Sequence, residues 1–263
     1  MKYLSITFDD GRADNYEIAY PIMKHYDLPG TIYCTTGYID GSWKPAKWKS
    51  AGKPISIEQL HELHNAGWEL GLHGDKHITE VNDLRSALTK MNGWGFSAKS
   101  FGFSMPNSAS EERDYHDFVK TYLGKEILYI RKGRKIDTSK LTSKLLFAGY
   151  SILGYQTAYN IFNNQNAIKT DQIDTENIYT VVVRNEDKPK MIIRFLKQLP
   201  EETWIVFMLH SILPEKHPLY GVDSWNWSKE RFNDFCFSMK KMVYEGNISV
   251  RTISDMIINN LSL

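Results

Sequence analysis

Apolar positions along the chain follow two alternating rhythms. Short runs rich in β-branched and aromatic residues occupy Tyr3–Phe8, Thr31–Thr35, Glu69–Leu72, Ser100–Ser104, Ile127–Arg131, Tyr150–Leu153, Ile178–Val183, Trp204–Leu209 and Ile248–Arg251. Between them, apolar residues recur at helical spacing over Asp14–Tyr26, Glu80–Met91, Glu111–Leu123, Lys188–Leu199, Lys229–Tyr244 and Ile253–Leu261. One more helix opens at Ser56-Ile57-Glu58-Gln59, where the serine hydroxyl and the glutamine amide serve reciprocal orphan N–H groups, and Gly67 stops it. On that helix Ile57, Leu60, Leu63 and His64 share a face. Strands alternating with helices read as βα units on a largely parallel sheet, and seven or eight such strands in a ring make a distorted (β/α) barrel. The 263 residues suit a single domain over 1–263, because α/β barrels occupy about 200–250 residues as one unit. No internal repeat, low-complexity tract or interdomain linker interrupts the pattern.

Two connections are longer than usual for this architecture. Tyr38–Pro54 carries Trp43 and Trp48, and Ser211–Ser228 carries His217, Tyr220, Trp225 and Trp227. Long loops after strands tend to hold function, and their indoles can either stack on a ligand or anchor their own loop. The polar stretch Tyr155–Asn177 shows no assignable period.

Charge and composition narrow the partners. Lys and Arg number 32 against 31 Asp and Glu, a formal balance of +1, without the basic excess of a nucleic-acid or anionic-membrane binder. No apolar window reaches membrane-spanning length, and the opening MKYLSITFDDG has no apolar leader, so a cytoplasmic protein is expected if Met1 is the native start. Cys34 and Cys236, both inside apolar-aromatic runs, read as reduced core residues.

The candidate chemistry lies at strand ends. Thr7-Phe8-Asp9-Asp10-Gly11 closes an apolar run with two acids and a turn; on an extended backbone the two carboxylates diverge, one free to ligate a metal and the other to handle a proton. Taken alone, the same residues would serve as a turn before an acidic helix start. His73-Gly74-Asp75-Lys76-His77 places two imidazoles four apart after another strand, and Gly71 and Gly74 argue for a loop rather than a metalloprotease helix. His210 ends Phe207-Met208-Leu209-His210, and Gly102-Phe103-Ser104-Met105-Pro106-Asn107 breaks from a strand into a turn. In a β/α barrel these C-terminal strand ends meet on one face. One acid and two histidines leave an open position for water, the arrangement of a catalytic metal, with a second acid and a third histidine left over as base and acid.

In these motifs the chain resembles the polysaccharide deacetylase family, the NodB-homology group of carbohydrate esterase family 4. The resemblance runs from residue 3 to the terminal Val250-Arg251-Thr252-Ile253-Ser254-Asp255-Met256-Ile257. It implies a NodB-type barrel, Asp9 as catalytic base, Asp10, His73 and His77 as ligands of a divalent metal, and His210 as catalytic acid. It further implies that the Asn107 backbone N–H, beside Pro106, helps hold the oxyanion. The metal expected is zinc, with cobalt, nickel or iron as alternatives. Three departures stand out. Gly74 replaces a loop-stabilising Ser or Thr; aligned on Pro106, Ser104 stands where the family has a base-orienting arginine and Ser108 where it has glycine; and the fourth motif's Asp has no evident counterpart. Arg131 or Arg134 could supply the missing guanidinium.

The expected activity is metal-dependent removal of the acetyl group from an N-acetylated sugar, releasing acetate. Trp43, Trp48, Tyr220, Trp225 and Trp227 are candidate sugar contacts, and the basic run Arg131, Lys132, Arg134 and Lys135 is either a phosphate contact or a solvated face. Alternatives are hydrolysis of another N-acyl or cyclic-imide substrate on the same scaffold, and a catalytically silent carbohydrate-binding protein.

Overall fold

The computed structural model describes residues 1–98, 100–102, 116, 117, 119–133, 141–153, 157 and 166–261, with residues 141–144, 147 and 151 described by their backbone alone. Its strands are β1 (Lys2–Phe8), β2 (Thr31–Cys34), β3 (Glu69–Leu72), β4 (Ser100–Gly102), β5 (Tyr129–Arg131), β6 (Ala167–Lys169), β7 (Val181–Val182), β8 (Thr203–Leu209), β9 (Ser211–Leu213), β10 (Asn226–Ser228) and β11 (Ile248–Val250). The helices are a π-helical turn (Asn15–Ala19) running into α1 (Tyr20–His25), then α2 (Thr36–Ile39), α3 (Ile57–Asn65), α4 (Val81–Gly93), α5 (Leu141–Ile152), α6 (Pro189–Gln198), α7 (Lys229–Tyr244) and α8 (Ile253–Leu261). The expected capping box opens α3: Gln59 N–H donates to the Ser56 hydroxyl, and Ser56 N–H donates to the Gln59 amide oxygen. None of the helices among the described residues is long and apolar enough to cross a membrane.

The long strands β1 and β8 form the spine, paired in parallel from Tyr3↔Trp204 to Phe8↔Leu209. From this spine the sheet runs β1-β2-β3-β4-β5 on one side. On the other, β6 lies antiparallel against the first half of β8 and β7 parallel against its second half. The ring closes through a short run of backbone bonds around the Arg131–Ile178 bridge just upstream of β7: Ile178 N–H donates to the Ile130 carbonyl at 3.2 Å and Lys132 N–H to the Ile178 carbonyl at 2.8 Å. The architecture is therefore the expected α/β distorted barrel, with seven strands in the ring.

Every wall strand alternates strictly between two environments. Leu4, Ile6 and Phe8 of β1, Ile32 and Cys34 of β2, Leu70 and Leu72 of β3, Phe101, Ile130, Val181, and Ile205, Phe207 and Leu209 of β8 pack outward against helices that contribute Phe232, Phe235 and Met239. Tyr33, Tyr129, Trp204 and Val206 point inward, where they meet Ile253, Met256 and Ile257. Burial on both faces makes these strands read as near-continuous apolar runs. Because side chains switch sides with each residue, the same parity sends Asp9, His73, Arg131, Arg184 and His210 into the barrel mouth.

Three sequence expectations are corrected. Tyr150–Ile152 ends helix α5 instead of forming a strand; a four-residue apolar run cannot be told from the last turn of a helix by periodicity, and here the preceding residues continue it as helix. Part of Tyr155–Asn177 supplies β6, an edge strand too short to show a period. Ser211–Ser228 is not only loop: β9 and β10 pair in parallel across it, with Trp227 facing Ile212 in register.

Inside the barrel, Gly102 has a steric task. A Cβ there would lie 2.5 Å from the Tyr33 ring and 2.6 Å from Arg131 Nη2. Replacement of Gly102 by alanine is expected to cost about 1–3 kcal/mol by overpacking, read as a lower urea midpoint. A midpoint equal to that of the parent protein would show that the interior can relax around the added methyl.

Candidate active site

The barrel mouth holds two acids, and each is clasped by its own arginine. Asp9 is 2% exposed and accepts two hydrogen bonds from Arg131 Nη2, at 2.8 Å to each carboxylate oxygen. Arg131 is fully buried, its guanidinium lies 4.4 Å from the Tyr33 ring centroid, and its Nη1 donates to the Met208 sulfur. Asp10 receives Arg12 on one oxygen only, with Nε at 2.9 Å and Nη2 at 2.7 Å from Oδ2. Arg12 Nη1 is tied in turn to the hydroxyls of Ser50 and Ser211. This arrangement leaves Asp10 Oδ1 turned toward the histidines.

The expectation that the carboxylates diverge on an extended backbone is corrected. Asp10 adopts a left-handed conformation at φ +79, which swings its carboxylate back beside that of Asp9. Asp9 Oδ2 and Asp10 Oδ1 both lie 3.7 Å from His73 Nε2. Burial by itself would raise the Asp10 pKa, but Arg12 and the surrounding histidines hold its carboxyl far below the usual range.

His73 follows β3, and its Nδ1 lies 2.5 Å from the Gly102 carbonyl. A carbonyl can only accept, so Nδ1 carries the proton and Nε2 presents its lone pair to Asp10 and His77. The two Nε2 atoms are 3.1 Å apart, and His77 Nε2 is 3.7 Å from Asp10 Oδ1. Burial drives both imidazoles down to about 4, so each is a neutral donor at pH 7. The three ligand atoms lie within 4.8 Å of one another. The quoted separations are shorter than two metal–ligand bonds of about 2.0–2.1 Å laid end to end, so one carboxylate and two imidazoles with free lone pairs suit a single divalent ion.

The loop carrying these histidines is held from beneath. Asp83 on α4 accepts the N–H groups of Asp75 at 2.8 Å and Lys76 at 2.9 Å. Asp75 accepts the Thr36 hydroxyl at 2.7 Å and pairs with Lys90 at 2.7 Å. Gly74, at φ +80, makes way for this clamp, since a Cβ would stand 2.7 Å from Asp83 Oδ2. Asp83 thus does at this loop what the absent hydroxyl after His73 would have done.

His210 extends the inward face of β8 and packs 4.6 Å from the Trp225 ring. Burial lowers its imidazole to about 4, and its Nδ1 has no hydrogen-bond partner among the described residues. Trp48 meets His77 edge-on at 5.0 Å and Trp43 at 5.3 Å. The structure thus brings Asp9, Asp10, His73, His77, Arg131 and His210 together, with Trp48 and Trp225 flanking them.

Other sequence candidates lie elsewhere. Trp227 is 2% exposed, donates its indole N–H to the Asp187 carbonyl and packs on Phe232 and Phe235, so it is a core residue and not a sugar platform. Arg131 cannot belong to a solvated or phosphate-binding basic face, because Asp9 and the barrel interior enclose it; Lys132 is bonded to Asn177. Pro106, Asn107, Arg134 and Lys135 lie outside the described residues. Arg12, Asp75, Asp83 and Lys90 went unnoticed in the sequence. A basic residue two positions after paired acids was the available sign for Arg12, whereas the Asp83 clamp leaves no local signal.

Residues 1–121 match the family model described as polysaccharide deacetylase. That match covers the two acids and both histidines of the mouth. The matched residues are a little under half of the chain, and over them the chain is similar to polysaccharide deacetylases. Among curated relatives, the Bacillus subtilis (strain 168) protein YxkH, which carries the polysaccharide deacetylase name, is 34% identical over 85 residues. These residues are 32% of this chain and 26% of YxkH, so the match spans about a quarter of that relative's length. Three solved structures share the fold of this chain at 11% identity. The Xyl-CE4 domain of a multidomain xylanase from the hindgut metagenome of Trinervitermes trinervoides has a TM-score of 0.50, over 98% of this chain and 90% of that one. A family 4 carbohydrate esterase from Streptomyces lividans, in complex with acetate, reaches 0.51 over 95% and 92%. A family 4 acetyl xylan esterase from Clostridium thermocellum, in complex with a cobalt ion, reaches 0.50 over 97% and 90%.

The buried Asp9–Arg131 pair makes a direct prediction. Arg131→Met leaves a buried carboxylate uncompensated and is expected to cost about 3–5 kcal/mol. Adding Asp9→Asn should recover part of that loss in urea unfolding. Additive losses in the double variant would show that the two side chains are not energetically coupled.

Proposed function

We propose that the protein is a metal-dependent hydrolase that removes the acetyl group from an N-acetylated sugar, its 263 residues acting as one catalytic domain. The observation that carries this reading is the convergence of Asp10, His73 and His77 on a shared point, with the Asp9 carboxylate beside them at the same barrel mouth and His210 on the neighbouring strand. Asp10, His73 and His77 would hold the ion, zinc being favoured by the mixed imidazole and carboxylate donors, with cobalt, nickel or iron as alternatives. When bound, such an ion supplies Lewis-acid polarisation of the acyl carbonyl and a more acidic water.

The chain's own residues supply the proton handling. Asp9, locked by the two bonds from Arg131, is a fixed acceptor for the proton released as water attacks the acetamide carbon. Arg131 acts in place of the arginine that the third motif lacks. His210 faces the site from the adjacent strand; it takes up a proton from solvent as negative charge grows on the acyl group and passes that proton to the leaving amine, returning to the neutral imidazole. Asn107, by resemblance, would add its N–H to the oxyanion. Trp48 beside His77 and Trp225 beside His210 flank the site, where an indole face can meet a sugar ring. Acetate and a free amino sugar are the products.

Two substitutions test the assignments. Asp9→Asn should keep its metal, measured by elemental analysis of the purified protein, and lose at least about 100-fold in kcat for acetate release; full activity would remove Asp9 from the mechanism. His73→Ala should lose the metal itself, and unchanged metal content would mean that the ligand set is wrong.

A further inference from the structure

Val181 and Val183 pack outward with the helices, so parity points Val182 and Arg184 into the barrel. The parallel register Val181↔Phe207 and Val182↔Met208 continues through the bond from Val183 N–H to the Met208 carbonyl, and it sets Arg184 beside His210. A carboxylate that would orient His210 could stand at this position, yet the residue there is a cation. The Arg184 guanidinium lies 4.7 Å from the Trp225 ring centroid, and the same indole packs on His210. Arg184 Nη1 donates to the Ser224 hydroxyl at 3.2 Å, while its buried Nε has no hydrogen-bond partner among the described residues. Among the described residues no carboxylate pairs with it. The other two arginines of the mouth, Arg12 and Arg131, are each engaged by an aspartate. Arg184 is therefore a half-buried guanidinium at the lip of the site with no carboxylate partner among the described residues.

A guanidinium in that condition gains most from a planar or tetrahedral oxyanion, which it binds through paired N–H donors. We propose that Arg184 is a specificity-determining residue that recognises an anionic group on the substrate, so that the preferred substrate is an acidic N-acetylated saccharide carrying a carboxylate or a phosphate near the scissile amide. This inference rests on the acetyl-sugar reading above and adds to it the charge of the substrate. Trp225 would then serve two partners at once, the sugar ring and the guanidinium that reads its charge.

The test is calorimetric titration of the full chain with N-acetylglucosamine, its 1-phosphate, its 6-phosphate and the corresponding uronate. At least one charged sugar should bind about tenfold or more tighter than the neutral one, the usual worth of a hydrogen bond to a charged group, and the advantage should shrink as salt is raised. The phosphate and uronate arms separate the two oxyanion sources. Arg184→Gln should bring the charged-to-neutral affinity ratio toward one, and Arg184→Lys should retain much of it. If Arg184 only braced Trp225, both variants would weaken all four sugars alike, and that outcome overturns the proposal. Equal binding of neutral and charged sugars by the parent protein would also overturn it while leaving the acetyl-sugar reading intact. Absence of binding by every sugar would overturn both.

Discussion

Each parallel strand of this sheet must bury one face against helices, and that obligation governs what its other face can carry. The outward positions of β1, β3 and β8 are filled by Leu, Ile and Phe. The next residue beyond each of these strands is Asp9, His73 or His210, and parity turns each of them inward. A one-residue slip in any strand would place an acid or an imidazole among Phe232, Phe235 and Met239. Register and site geometry are therefore one constraint, enforced by the cost of burying an unpaired polar group in the outer core.

That constraint brings like charges together, and the arginines resolve the conflict. Two carboxylates sharing one histidine at 3.7 Å would repel strongly in a buried site. Arg131 takes both oxygens of Asp9, so that carboxylate cannot rotate, whereas Arg12 takes a single oxygen of Asp10 and leaves the other for the histidine pair. The difference between two-oxygen and one-oxygen binding separates the proposed base from the proposed ligand without any difference in residue type. The interior aromatics support the same division, since Tyr33 stacks on Arg131 while its hydroxyl is bonded to that of Tyr129.

What the sequence disclosed follows from how far each signal reaches. Elements buried on both faces, such as β1, β3 and β8, and helices with complete ends, such as α3 and α7, were legible because burial and capping are local and periodic. The strand reading of Tyr150–Leu153 failed because four apolar residues carry no period. The ligand histidines and both acids were legible as short motifs. Asp83 was not, for its clamp joins residues eight positions apart through side-chain oxygens and backbone N–H groups that no pattern marks. Trp227 misled for a related reason: its loop contains the strand pair β9 and β10, which draws the indole into the core while leaving Trp225 at the mouth.

The departures from the family pattern can be read as a set of exchanges made in space rather than along the chain. Arg131 on β5 reaches Asp9 past β4, because Gly102 on that intervening strand has no side chain to obstruct it. Gly74 lacks a hydroxyl, yet only glycine leaves room there for the Asp83 carboxylate, which satisfies two backbone N–H groups where a hydroxyl would serve fewer. In both places a residue deleted from a motif is matched by a glycine that admits a longer side chain from a neighbouring element. Among the described residues the position beside His210 has no such replacement: there its Nδ1 has no partner, and its register neighbour is Arg184. Of the three departures, that one alters the charge of the mouth, and for that reason it bears on which substrates enter it.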